Sequence, residues 1–173
     1  MSQAVHAAFE FRRALSQTLF TNGAVTTPWD IIFGAGGLAT LTRRFSDGTG
    51  ANKANKHWYA RSTIAAGVND DWVIGAGGTT CKDLLNQNVT FTLIKLFILK
   101  IDSAVSGNRL ILGAAGANPA ILWFGDVSDT ESVYDYVFKP NPIDGWAVAA
   151  SKVLRVNNPT AGALTYDILA LGE

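Results

Sequence analysis

The sequence predicts an all-β fold, a β-sandwich or jelly roll of about ten short strands. Short apolar runs recur at spacings of roughly ten to fifteen residues, and each is closed by Gly, Asn, Asp or Pro. No long helical stripe interrupts them. The densest apolar run, Val89 to Ile101, is rich in β-branched and aromatic residues, which suit a pleated surface. Its period-two faces are Val89, Phe91, Leu93, Phe97, Leu99 and Ile101 against Thr90, Thr92, Ile94, Leu96 and Ile98. A strand apolar on both faces must be covered twice, so this run is expected at the centre of the fold. A helix is the rival reading, because Leu93, Leu96, Phe97 and Lys100 also share a helical stripe.

Taken in order, residues 1–28 read as an N-terminal arm and residues 29–173 as a single sandwich domain. In the arm, Val5, Ala8, Phe9, Leu15 and Leu19 suit a helix, whereas Phe9 and Phe11 alternate with Glu10 and Arg12 as in a strand. An extended arm with an edge strand is the reading adopted, with Phe9 and Phe11 as anchors on a partner. Strands are then expected over Trp29–Phe33, Leu38–Phe45, His57–Ala65, Trp72–Ile74, Val89–Ile101, Arg109–Leu112, Ile121–Phe124, Val133–Phe138, Val153–Val156 and Leu164–Leu171. Ser46 to Lys56 holds no apolar residue larger than alanine and reads as a surface loop. An apolar-apolar-Gly-Ala-small-Gly pattern recurs at Ile32–Gly37, Val73–Gly78 and Ile111–Gly116. It marks strand ends where glycine permits positive φ or close backbone approach.

Charge narrows the function. Lysine plus arginine equal aspartate plus glutamate at 14 each, and only 16% of residues are charged against 48% hydrophobic. Nucleic-acid binders carry a basic excess or stripe, so nucleic acid is not the expected partner. So little charge gives little self-repulsion, and association with other subunits would hide the excess apolar surface. The first residues carry no basic-then-apolar leader pattern, and the central run is too short and too interrupted by lysines to cross a bilayer. A soluble chain made in a cytoplasm is expected, without a membrane partner.

No pattern of catalytic residues emerges. Gly75-Ala76-Gly77-Gly78-Thr79-Thr80 lacks the lysine and following helix of a phosphate-binding loop. His6 and His57 are the two histidines, and neither G-x-S-x-G nor H-E-x-x-H occurs. Cys81 is the sole cysteine, which excludes an intrachain disulfide. Asp126 to Glu131 is an acidic loop with oxygen ligands of the kind Ca²⁺ takes, but solvated loops collect the same residues. No catalytic residue, cofactor or metal site is therefore assigned. Trp29, Trp58, Tyr59, Trp72, Trp123 and Trp146, mostly at strand starts or ends, read as core caps or subunit-interface residues, with sugar stacking as the competing use.

The stretch Asp47-Gly48-Thr49-Gly50-Ala51-Asn52-Lys53-Ala54-Asn55-Lys56-His57-Trp58, followed by Arg61-Ser62-Thr63-Ile64-Ala65-Ala66-Gly67, resembles a group of tailed-bacteriophage virion structural proteins. Later marks agree: Leu93-Ile94-Lys95, Gly125-Asp126-Val127-Ser128-Asp129-Thr130, Gly145-Trp146-Ala147-Val148 and Thr165-Tyr166-Asp167-Ile168. The similarity runs from about Phe45 to Glu173. One departure is that Tyr134-Asp135-Tyr136 stands where such proteins tend to place a Pro-Pro-Gly-Gly-like turn. The resemblance implies a non-enzymatic part of a phage virion. The expectation is a capsid decoration (cement) protein that docks as a homo-oligomer such as a trimer on the major capsid protein or other virion proteins. Its interface would use Phe9, Phe11, Trp29, Trp58, Tyr59 and Trp123. The alternative is a receptor- or glycan-binding module of a tail or fibre.

Overall fold

The computed structural model describes residues 29–33, 41–45, 48–83, 86–102, 107–113 and 115–173, with backbone alone for 29–33 and 41–44. The arm, with Phe9 and Phe11, and the first Gly-rich echo after Phe33 lie outside the described residues. Within them the fold is all-β and antiparallel, and no helix occurs.

The strands are β1 (Trp29–Phe33), β2 (Leu41–Phe45), β3 (Lys56–Ile64), β4 (Asn69–Val73), β5 (Leu93–Ile101) and β6 (Leu110–Gly113). They continue with β7 (Thr130–Val133), β8 (Tyr136–Pro140), β9 (Trp146–Ala147), β10 (Val153–Asn157) and β11 (Leu164–Gly172). Two sheets carry nine of them. One has the order β4-β10-β6-β7, the other β3-β11-β5-β8 with β9 also on β5. β1 and β2 form a separate antiparallel pair.

One buried cluster draws on both sheets. Trp58, Ile64, Phe97, Leu99, Ile101, Tyr166 and Ile168 come from the larger sheet, and Leu110, Leu112, Val133, Leu154 and Val156 from the smaller. A second cluster, Phe45, Ala54, Leu96, Ile98, Leu169 and Leu171, lies on the other face of the larger sheet. The expectation that the central run needs two covers is thus met, and β11 shares the central position with β5.

The parity of β5 differs from the sequence reading, however. Leu171 pairs with Leu96 but Gly172 pairs with Ile94, so Lys95 is an extra residue, a β-bulge. The bulge turns Ile94 into the same cluster as Phe97 and leaves Leu96 and Ile98 opposite. Strand β5 also begins later than expected. Val89 N–H donates to the Cys81 carbonyl and Phe91 N–H to that of Ile74, so the backbone before Leu93 is committed to another loop.

Three further expectations are corrected. Strand β4 starts three residues before the expected Trp72, at Asn69, and takes in Asp70 and Asp71. It pairs with β10 so that Asp71 faces Arg155 and Asn69 faces Asn157, polar partners that satisfy a polar strand. Ile121–Phe124, read as a strand, is a turn in which Leu122 has φ of +44° and Phe124 N–H bonds the Ile121 carbonyl. Val133–Phe138, read as one strand, is split between sheets. β7 pairs with β6 and β8 pairs with β5, and the change occurs at Tyr134-Asp135. The alternation survives the split, with Val133 and Val137 buried and Tyr134 and Tyr136 exposed.

Candidate functional site

The register of the larger sheet builds a graded outer face. One row across it is Tyr59, Leu169, Ile98 and Phe138, and belongs to the apolar half. The next row, two residues along, is Arg61, Asp167, Lys100 and Tyr136. Opposite charges directly across neighbouring strands attract. Arg61 bonds Asp167 at 2.9 Å and also pairs with Asp102. Tyr59 OH donates to Asp167 Oδ1 at 2.7 Å, joining the two rows. Beyond them Thr63 and Thr165 share a hydrogen bond of 2.8 Å. Tyr136 is 56% exposed at the edge of this row, and Tyr134, at the crossing into it, is 58% exposed. The result is a surface of tyrosine, arginine and lysine beside a closed apolar floor.

The polar loop after Phe45 is fixed against that same sheet. Lys95, on the bulge, is 1% exposed, and its Nζ lies 2.6 Å from Glu173 Oε1. The Lys95 ammonium also donates to the Gly50 carbonyl, while Gly50 N–H donates to Glu173 Oε1 at 2.7 Å. Both backbone groups of one loop residue are therefore held by one buried ion pair. Asn52 N–H to the Pro142 carbonyl and Asn55 N–H to that of Gly172 complete the attachment. Burial pushes the Glu173 carboxyl up. The Lys95 hydrogen bond, the Gly50 N–H and the charges of Lys95 and Lys56 outweigh it and hold the group below its ordinary range. The loop is a surface loop as expected, yet it is anchored, and Ala54 within it is buried.

A second polar feature lies where the chain passes from β3 to β4. Ser62, Asp70, Asp71, Trp72 and Thr80 line a groove of about 310 Å³. Behind it, Tyr166 on β11 is fully buried. Trp72 Nε1–H donates to Tyr166 OH at 3.1 Å, and Tyr166 OH donates to Asp70 Oδ2 at 2.6 Å. Ser62 Oγ donates to the same Oδ2 at 2.7 Å. Burial, then the hydrogen bond to Asp70, raises the Tyr166 phenol well above its usual range, so it stays the donor. Asp71, beside Asp70, is bound through both oxygens to Arg155, each at 2.7 Å. That hydrogen-bonded guanidinium holds the Asp71 carboxyl below its usual range.

Of the residues expected at an interface, Trp58 is wholly buried and packs at a tilt against Trp72, with ring centroids 5.1 Å apart. It is a core residue that offers no surface to a partner. Tyr59 lies on the graded outer face, whereas Trp123 lies elsewhere, among Phe97, Phe124 and Trp146. Trp123 Nε1–H donates to Glu131 Oε2 at 2.7 Å, and Glu131 in turn pairs with Lys139. Of Trp29 the backbone alone is described, in β1. His57, at the start of the expected strand, is buried, and burial lowers its pKa against the pull of Asp83.

In the acidic loop the carboxylates are used locally. Asp126 Oδ1 accepts from Ser128 N–H and Oγ–H, Asp129 Oδ2 accepts from Asp126 N–H, and Glu131 belongs to β7. No grouping of three or more potential metal ligands occurs among the described residues. No helix among them is long and apolar enough to cross a membrane.

Sequence reasoning missed Lys95, Glu173 and Tyr166. A lysine inside the densest apolar run was the available signal for the first. The others depend on long-range register. No protein-family model matches the chain, and no curated protein is significantly similar to it.

Proposed function

We propose that this chain is a non-enzymatic structural protein of a tailed-phage virion, its two sheets packed as a β-sandwich. In this reading it is a capsid decoration protein that docks as a symmetric homo-oligomer on the major capsid protein. The observation that carries the reading is the outer face of the larger sheet. Arg61, Lys100 and Tyr136 share one row there, Tyr59 lies in the next, and Tyr134 stands at the margin. Tyrosine and arginine are the side chains that protein interfaces concentrate. The anchored loop at Gly50 adds a rigid rim, which lowers the ordering cost of docking.

The test is co-sedimentation of the purified chain with expanded capsids of the phage that encodes it. Stoichiometric recovery on heads is expected, with particles lacking the protein losing heat stability. Arg61→Ala combined with Tyr136→Ala should reduce recovery while leaving the fold intact. Recovery on tails alone, or glycan binding by the isolated chain without capsid binding, overturns the proposal.

A further inference from the structure

We propose that the groove between β3 and β4 receives a lysine or arginine side chain of a docked partner, with Asp70 as counter-ion and Trp72 as apolar wall. The charge balance of the groove leads there. Asp71 is neutralised through both oxygens by Arg155. Asp70 is bonded by the neutral donors Ser62 and Tyr166, both on Oδ2. No lysine, arginine or histidine among the described residues pairs with it. Asp70 thus has no cationic partner among the described residues, while its orientation is fixed from behind.

The fixing is directional. The Trp72 indole N–H points to Tyr166 OH and the Tyr166 proton to Asp70, so Oδ2 is occupied and Oδ1 carries no hydrogen bond within the described residues. A carboxylate oriented in this way in an open groove attracts cations through its charge. The adjoining indole favours an organic cation, because ammonium and guanidinium groups are drawn to aromatic faces. A metal ion is poorly served, as no set of three ligating groups gathers there among the described residues. The volume of about 310 Å³ is at the low end for small-molecule pockets and suits the end of one long side chain. The docked protein as source of the cation rests on the role proposed above; the cation site itself does not.

The experiment follows the Trp72 indole N–H by two-dimensional NMR of the full chain, with its signal identified through Trp72→Phe. Probes are the acetylated methylamides of lysine and arginine, the uncharged norleucine analogue, and spermidine. A saturable shift is expected with lysine or arginine and none with norleucine. Asp70→Asn should weaken binding at least about tenfold, the loss of a charge-assisted hydrogen bond. Equal response to norleucine, no saturation with either charged amide, or unchanged binding in Asp70→Asn overturns the proposal. If that variant does not fold, salt decides with the native chain. Affinity that fails to drop as ionic strength rises also overturns it. A response to spermidine alone reassigns the groove to free polyamines and overturns the side-chain reading. Amine binding by a chain that never joins particles keeps the cation site and removes the docked source.

Discussion

Replacing Lys95 with Met is the most informative single perturbation of this fold. Met preserves the length of the side chain and removes its charge and its donors. Glu173 then keeps a carboxylate whose side chain is 13% exposed with no cation at 2.6 Å, and the Gly50 carbonyl loses its buried donor. Removing one member of a buried ion pair costs about 3–5 kcal/mol. The lower figure, about 3 kcal/mol, applies because water still reaches one side of Glu173. With a urea m-value of about 2–3 kcal/mol/M, the unfolding midpoint should fall by about 1–1.5 M. Glu173→Gln in the Lys95→Met background should recover part of the loss, giving a coupling of at least about 1 kcal/mol in the double-mutant cycle.

The pair also predicts acid sensitivity. The Glu173 carboxyl is held below its ordinary value of 4.5 when folded. Its contribution is therefore complete above that value and is lost as pH falls through the lower, folded one. Urea titrations at stepped pH should show this loss in the native chain and not in Lys95→Met. A coupling near zero, or a Lys95→Met midpoint equal to the native one, would refute the idea that a buried charge pair anchors the loop.

Three other outcomes are expected. Gly172→Ala places a Cβ onto the Leu93 carbonyl oxygen and 2.8 Å from Phe91 Cδ1, so it should lower stability by about 3 kcal/mol or more in thermal melts. Asn158 is fully buried; its Nδ2 donates to the carbonyls of Ile64, Ala65 and Gly162, and its Oδ1 accepts from Thr160 N–H. Asn158→Leu should cost about 3 kcal/mol in urea unfolding, since several buried backbone groups lose their partners together. Cys81 is buried and its thiol is pushed up to about 12 by burial. Thiol-reactive dye at pH 8 should label the native chain only as fast as it opens, and promptly in denaturing urea.

Several elements were legible without coordinates because their signals are local. Strands β1, β10 and β11 lie where their apolar runs and turn residues put them. The second and third Gly-rich echoes do fall at strand ends. A Cβ on Gly78 would strike the Val73 carbonyl, and Gly113 has φ of +101°. By contrast, Asp70 and Asp71 look like turn residues alone, and only Arg155 and Asn157 across the ladder make them strand. Trp58 and Trp123 look alike in sequence, yet one is sealed in the core and the other closes its margin.

The deeper division is between period and partner. An apolar run of period two declares a strand and, when both faces are apolar, two covers, because burial preference belongs to each residue. All-β architecture and the central place of the Leu93–Ile101 run were decided at that level. Which residue bulges, which acid meets Arg155 and which meets Tyr166, and where Gly50 is tied depend on residues up to 123 positions apart. Those pairings exist only after the sheets have chosen a register, and register is a property of the whole ladder rather than of any single strand.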